Sequence, residues 1–421
     1  MTMKNDPRST ANIFLPPVTF SACMNHWTMR LYTAYVYLAL RDNDLRVQFY
    51  DHLDDIPGFE KHLRSQITKS PRSRNIHGIA MFLGNKKNAL RLMQQIRAKD
   101  PRGLIVAFGP TASFFHRQIL TRGLADIVIT ADPEFVFPKL VRAGTDISTV
   151  PNLALLQHEK IMKTRPKTFT DLDSLPFAGQ YFCDKGLTPV PVVTARGCPF
   201  SCSFCDRPLL WGAQTRLRSV DNIFAEIHSL VTRYNLPRLF FDDANFILNK
   251  DRTIHLCQQL TKLPKPVSWG CTARVDCADP KTLRLMRYAG CETVYFGIES
   301  GDETILRNIG KEYGQKEILQ AVKWTRDAGI KVGIFLTVGN PGESGRSLVK
   351  TKKLLRDLYP FSELTINPLV VLPGTPIYAR FIKEKKITEE ACFDNDTLMF
   401  FDTKAQAYMK DIAQLRKFFK Q

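Results

Sequence analysis

The chain has 421 residues, too many for one ordinary core and enough for two domains. Hydrophobic residues make up 44% and charged residues 24%, a soluble globular composition with no run of about 18 apolar residues, so no membrane span is expected. Lys plus Arg outnumber Asp plus Glu by 59 to 41, giving +18. The basic residues are scattered, which reads as an ordinary basic surface or one that meets an acidic or phosphate-bearing small molecule; nucleic acid is not an expected partner.

The N-terminus, M-T-M-K-N-D-P-R-S-T, lacks the apolar core of a secretory signal, so a cytoplasmic location is expected. N-I-F-L-P-P (12–17) reads as a strand ending at Pro16–Pro17, and 27–40 as a long helix. L-R-V-Q-F-Y-D (45–51), I-H-G-I-A-M-F-L (76–83), L-I-V-A-F-G-P (104–110) and A-D-I-V-I-T (125–130) read as further strands, with a helix at 87–98. Short apolar strands separated by helices indicate a parallel sheet covered on both faces. Residues 1–150 are therefore expected to form a Rossmann-type doubly wound domain, with ligands at the C-terminal strand ends. Residues 151–185 show little periodicity and read as a connecting segment.

A second alternation occupies 186–385. Strands are expected at 191–197, 238–243, 267–274, 292–301, 331–339 and 364–372, with helices at 220–234, 280–290 and 316–329, two of them stopped by glycine. Six strand–helix units indicate a partial (β/α)6 TIM barrel with its chemistry at the C-terminal mouth. Residues 386–421 form a tail, with a basic amphipathic helix at 405–420.

R-G-C-P-F-S-C-S-F-C (196–205) sets Cys198, Cys202 and Cys205 on one short run. The other seven cysteines are dispersed and read mostly as small core residues. A structural zinc site takes four protein ligands, and no histidine lies within twenty residues of the run. An iron–sulfur cubane also normally takes four thiolates; with three, one iron keeps open positions for a small molecule.

C-P-F-S-C-S-F-C, directly after a first barrel strand and with Phe204 before its last cysteine, resembles the radical S-adenosylmethionine (SAM) superfamily. The resemblance implies a 4Fe-4S cluster on the three cysteines, whose open iron binds SAM and cleaves it to methionine and a 5′-deoxyadenosyl radical. It also implies a one-electron donor such as flavodoxin or ferredoxin. D-D-A-N-F (242–246) follows the second strand, and Asp242 and Asp243 match positions that receive the methionine amino group; a helix N-cap is the competing reading. Arg274 ends the third strand and is a candidate for the SAM carboxylate, or for a surface ion pair. In G-I-E-S-G (297–301), Glu299 and Ser300 match contacts to the ribose or methionine part. V-G-N-P-G-E (338–343), with Gly339 and Pro341, resembles the turn beside the adenine, and L-P-G-T-P-I-Y (372–378) a subgroup signature.

That subgroup often carries an N-terminal cobalamin-binding domain, which 10–150 resembles in strand order and at Pro16–Pro17, Asp51 and Gly109–Pro110–Thr111. Glu134 in T-A-D-P-E (130–134) keeps one landmark, while Phe108 replaces a glycine and D-x-H-x-x-G is absent. His52 reads as a surface residue, and no histidine is assigned a catalytic role. The resemblance implies methyl transfer through cobalamin to an unactivated carbon of a small-molecule or natural-product substrate. Radical rearrangement, cyclisation or C–C cleavage with the front domain as scaffold is the alternative, and an iron–sulfur sensor the non-enzymatic one. A methylthiotransferase would need three more cysteines in the front domain, where only Cys23 stands.

Overall fold

The computed structural model describes residues 11–18, 26–65, 75–143, 146–236, 238–395, 407–408 and 410–411. The helix expected at 405–420 lies almost wholly outside the described residues. The chain divides into two units, the first running to Ala178 and including Leu209–Trp211 and Ile387–Asp396.

The first unit holds a seven-stranded sheet: β1 (Ala11–Leu15), β2 (Val47–Asp51), β3 (Ile76–Ala80), β4 (Leu104–Phe108), β5 (Ile127–Ile129), β6 (Leu153–Gln157) and β7 (Lys160–Lys163). Its order is β2-β1-β3-β4-β5-β6-β7, with β1 to β5 parallel. Every residue of β3 and β4 is buried, as strands covered on both faces require. Around the sheet run α1 (His26–Arg41), α2 (Ile56–Ser65), α3 (Lys86–Lys99), α4 (Pro110–Phe114), α5 (His116–Thr121) and α6 (Pro133–Arg142). Strand order reverses between β1 and β3, which makes their C-terminal ends the switch point where doubly wound sheets bind ligands. Asn85 ties that point together: its amide donates to Pro16 O and Ala80 O, both at 3.2 Å.

Residues 151–185 are not merely a connector. β6 and β7 form an antiparallel hairpin that extends the sheet past β5. Its turn is His158–Glu159, at φ +47° and +63°. A two-residue hairpin turn of this kind, with positive φ at both positions, usually advertises itself with Asn-Gly; neither residue here gives that signal. Lys160 and Lys163 are exposed on the outermost strand, where charge blunts an open sheet edge.

The second unit comprises Gly179–Pro208 and Gly212–Lys386. It opens with α7 (Gly179–Asp184) and β8 (Val190–Val192), then a small antiparallel pair, β9 (Ala195–Arg196) with β10 (Arg216–Leu217). Between that pair lies α8 (Arg207–Trp211). There follow α9 (Val220–Arg233), β11 (Leu239–Phe241), α10 (Lys250–Leu260), β12 (Trp269–Ala273), α11 (Pro280–Tyr288), β13 (Cys291–Glu299), α12 (Glu303–Asn308), α13 (Gln315–Asp327), β14 (Lys331–Val338), α14 (Gly345–Asp357), β15 (Glu363–Pro368) and α15 (Pro376–Lys383). The large sheet has the order β15-β14-β13-β12-β11-β8, all parallel, as the expected six strand–helix units demand. Side-chain caps start its helices: Ser219, Asn249, Asp279, Asp302, Ser344 and Thr375 each accept a backbone N–H of the first turn. Finally α16 (Glu389–Asp394) belongs to the first unit, where the buried Lys86 ammonium donates to Cys392 O and Phe393 O at 2.8 and 2.7 Å.

Candidate active site

Cys198, Cys202 and Cys205 lie on the loop between β9 and β10; all three are free and half-buried. Backbone bonds to distant elements shape this loop. Ser203 N–H donates to Ile309 O, and Ile377 N–H to Ser203 O, each at 3.0 Å. Gly310 stands at φ +77°, and a Cβ there would fall 2.8 Å from Ser201 O, an approach only glycine permits. Burial, with Asp206 beside it, pushes the Cys205 thiol up to about 12. A thiol held that way loses its proton when a metal cation takes the sulfur. Among the described residues no three His, Cys, Asp or Glu side chains share one ion-sized site. A cubane does not need that, because it takes each thiolate on a different iron. The donor set fits such a cluster.

Asp242 and Asp243 stand just beyond β11, both buried. Asp243 accepts from Thr194 N–H at 2.7 Å, from Ala195 N–H at 3.0 Å and from the Thr194 hydroxyl. Its carboxylate thus pins the chain that enters the cysteine loop, and burial raises its pKa. Asp242 accepts from Arg207 Nη2 at 3.0 Å. A cleft of about 540 Å³ opens beside Cys198, lined among others by Asp243, Asn245, Asn249, Lys250 and Arg252. That volume suits a small organic ligand.

Arg274 follows β12. Its Nε and Nη2 donate to the two oxygens of Asp276 at 3.0 and 2.7 Å, and its Nη1 lies 3.6 Å from Cys202 Sγ. Glu299 ends β13 beyond a bulge at Gly297, with φ +65°. A non-glycine residue in that region is strained and is held by its surroundings. Here the Thr337 hydroxyl donates to Oε2 at 2.7 Å, and Lys311 Nζ lies 3.5 Å from Oε1. Lys311 also donates to Gly297 O at 3.3 Å and sits 5.9 Å from the centre of the Phe204 ring. Ser300 is fully buried; its hydroxyl accepts from Asp302 N–H at 3.2 Å and lies 3.4 Å from Thr351 Oγ1. Gly339 N–H donates to Glu343 Oε2 at 2.5 Å, and Pro341 O accepts from Asn308 Nδ2 at 3.0 Å. Both hold the turn after β14.

Sequence reasoning missed Lys311, Tyr313 and Arg207. Lys311 and Tyr313 are buried beside Glu299 and Arg274, yet each is a single residue in the polar run G-K-E-Y-G (310–314). Their one available signal was the carboxylate at 299, which demanded a buried partner.

In the first unit, Gly109 ends β4 at φ +103°, where a Cβ would fall 2.6 Å from Met81 O. Pro110 opens α4, and Glu134, buried, opens α6 beyond the neighbouring strand β5. The Phe108 ring fills the core, 6.4 Å from Tyr32 and 6.1 Å from Phe137. Asp51 is held by Arg30 Nε at 2.6 Å. His52 is half-buried rather than superficial: it packs on Phe59 and His62, and burial lowers its pKa. The glycine of this Gly–Pro turn is required by the close approach of the Met81 carbonyl within the chain, and Asp51 is committed to Arg30.

Residues 192–355 match the radical SAM superfamily. The matched residues run along the six-stranded parallel sheet and its helices. Two solved enzymes have a similar fold. TsrM from Kitasatospora setae, solved with tryptophan substrate and a SAM analog, superposes with a TM-score of 0.73 at 16% identity, over 90% of this chain and 76% of that one. OxsB, a cobalamin-dependent SAM radical enzyme solved with aqua-cobalamin, gives 0.73 at 17% identity, over 93% of this chain and 63% of that one. Among curated relatives, an uncharacterized methyltransferase of Pyrococcus horikoshii is 30% identical over 288 residues, 65% of this chain and 62% of the relative. The hopanoid C-2 methylase of Rhodopseudomonas palustris is 29% identical over 261 residues, 56% of this chain and 47% of the relative. An anaerobic magnesium-protoporphyrin IX monomethyl ester cyclase of Cereibacter sphaeroides is 27% identical over 279 residues, 62% of this chain and 45% of the relative. The chain spans only 45% to 62% of the length of these three relatives.

Proposed function

We propose that this chain is a radical SAM enzyme that transfers a methyl group through cobalamin to an unactivated carbon of a small molecule. The observation that carries the reading is the cysteine loop itself: three free thiols on one loop, with the cation of Arg274 beside Cys202. Cys198, Cys202 and Cys205 would hold a 4Fe-4S cluster, which when bound supplies one electron to the sulfonium of SAM. Cobalamin, when bound, supplies the methyl group, and Gly109, Pro110 and Glu134 are the residues of the first unit that would hold it. The methylase names among the relatives and the cobalamin-bound neighbours support this reading.

The chain's own residues do the positioning. Asp243 fixes the entry to the cysteine loop, so the sulfurs are presented before any ligand arrives. Asp242 and Glu299 are the candidate acceptors for the amino and ribose groups of SAM, each already oriented by a cation. Phe204 offers an apolar surface near Lys311. Gly339 and Pro341 form the turn proposed to meet the adenine. Ser300, the other candidate for the ribose or methionine part of SAM, is fully buried and engaged by Asp302 and Thr351. A reactive radical needs a confined pocket more than acid–base groups, and the cleft beside Cys198 is the candidate for its substrate end.

No helix among the described residues is long and apolar enough to cross a membrane. We place the protein in a reducing, cytoplasmic compartment, where free thiols persist. The +18 charge would complement an acidic one-electron carrier such as flavodoxin or ferredoxin, or an acidic or phosphate-bearing substrate. The second reading, rearrangement or cyclisation without methyl transfer, is favoured by the cyclase relative and by Phe108, which fills the core where a glycine would leave space. Anaerobic reconstitution with iron, sulfide, hydroxocobalamin, SAM and dithionite separates the two. Bound corrinoid with S-adenosylhomocysteine and 5′-deoxyadenosine together supports methyl transfer. 5′-Deoxyadenosine alone supports the second reading, and neither product rejects both.

A further inference from the structure

Arg274 was a candidate for a ligand carboxylate, but its bidentate face is already occupied. Nε and Nη2 make the fork on Asp276, at 3.0 and 2.7 Å. The guanidinium lies over the Phe200 ring, 3.6 Å from its centre, with the Tyr313 ring 5.3 Å away. A planar guanidinium fixed by a fork and a stacking surface has its remaining N–H groups aimed by the same constraints. Nη1 is the group left over, and it lies 3.6 Å from Cys202 Sγ, a sulfur hydrogen-bond distance. The side chain is buried, so little water competes for this contact.

We propose that Arg274 is a positioning residue for the cluster: it donates an N–H···S hydrogen bond to the Cys202 thiolate and so raises the reduction potential of the bound 4Fe-4S group. The inference rests on the reading of Cys198, Cys202 and Cys205 as cluster ligands. Its physical basis is charge. The reduced cluster carries one more electron than the oxidised one, and a donor or cation at a ligand sulfur stabilises the more negative state. Asp276 holds the donor in place and Phe200 shields it. This chain thus spends its arginine on the electron rather than on the carboxylate of the molecule that receives it.

The test uses full-length protein reconstituted anaerobically with iron and sulfide, then titrated with dithionite in the presence of viologen mediators, with the reduced cluster read by electron paramagnetic resonance. At the potential that half-reduces the wild type, the reduced-to-oxidised ratio in Arg274→Met is expected to fall about tenfold, or about 59 mV for a one-electron couple. A second measurement needs no variant. Wild-type protein grown on ¹⁵N-arginine is expected to show a nitrogen coupling to the reduced cluster by electron–nuclear double resonance. A variant midpoint equal to that of the wild type, or a reduced wild-type cluster with no arginine coupling, overturns the proposal while leaving the cluster reading intact. Wild-type protein that takes up no four-iron cluster overturns the parent reading and this one with it.

Discussion

Asp243 grips Thr194 at two points: one carboxylate oxygen accepts the backbone N–H at 2.7 Å and the other accepts the hydroxyl. A carboxylate at this position reads from sequence as a ligand contact, and the structure gives it a partner within the chain. Asp243→Ala strands the buried N–H groups of Thr194 and Ala195, at about 1–3 kcal/mol for each unsatisfied donor. We expect lower stability in chemical denaturation and reduced iron uptake on reconstitution. Asp243→Asn keeps an acceptor and should lose clearly less of both. Full iron loading by the alanine variant would refute this role.

Arg218 and Glu226 form an ion pair at 2.6 Å with side chains 0% and 1% exposed. Arg218 also donates to Val193 O at 2.8 Å, and Glu226 accepts the Gly179 N–H at 3.1 Å. Removing one partner leaves an uncompensated buried charge, a loss of roughly 3–5 kcal/mol. Glu226→Ala is expected to lower the free energy of unfolding by that amount, and Glu226→Gln by less, since it keeps an acceptor for Gly179. A change below about 1 kcal/mol in the alanine variant would mean the pair is dispensable.

Lys311 and Glu299 are coupled in the same sense, 3.5 Å apart and both buried. Lys311→Met alone is expected to destabilise strongly, because the Glu299 carboxylate keeps only Thr337 and burial of a lone charge is costly. The double variant Lys311→Met/Glu299→Gln should recover more than half of that loss. Strict additivity of the two single changes would show the residues to be independent.

His77 sits buried on β3 with Nε2 3.1 Å from Asp100. Burial depresses its pKa below the usual 6.5; Asp100 opposes the shift and Arg97 adds to it. The folded value lies below the unfolded one, so between them the unfolded chain binds more protons. This contribution to stability is complete above the unfolded value, about 6.5, and is lost as pH falls through the folded value. Thermal melts from pH 7.5 down to 5.5 should show a falling midpoint, with a shallower slope in His77→Gln. Identical slopes would assign the acid sensitivity elsewhere.

The triple variant of Cys198, Cys202 and Cys205 to alanine is expected to bind no iron while melting within a few degrees of the unloaded parent. The three thiols are half-buried on a loop and contribute little to either core. A large fall in the melting midpoint of the unloaded protein would give them a packing role instead.

Most strands of the two sheets were legible because they are short apolar runs, many of them closed by Gly, Pro or Asp, and helix stops at Gly290 and Gly329 marked the turns between them. β6 and β7 were not, since His158–Glu159 supplies a positive-φ turn without its usual residues. Site residues were legible as residue types at strand ends, but their partners were not. Parallel strands bring together positions far apart in sequence, such as Thr194 with Asp243 or Glu299 with Thr337, and no local pattern encodes that. Arg274 shows the same gap: its place was readable, while its commitment to Asp276 and Cys202 was not.

The bonds from Ser203 to Ile309 and Ile377, and the close fit of Gly310 under Ser201, have a consequence for biogenesis. The thiols emerge from the ribosome early, but the backbone that shapes them is translated more than a hundred residues later. Metal insertion into the finished loop must therefore wait until nearly the whole of the second sheet has been made. A chain truncated before Ile377 would display the same three cysteines and lack the frame that turns them into a site.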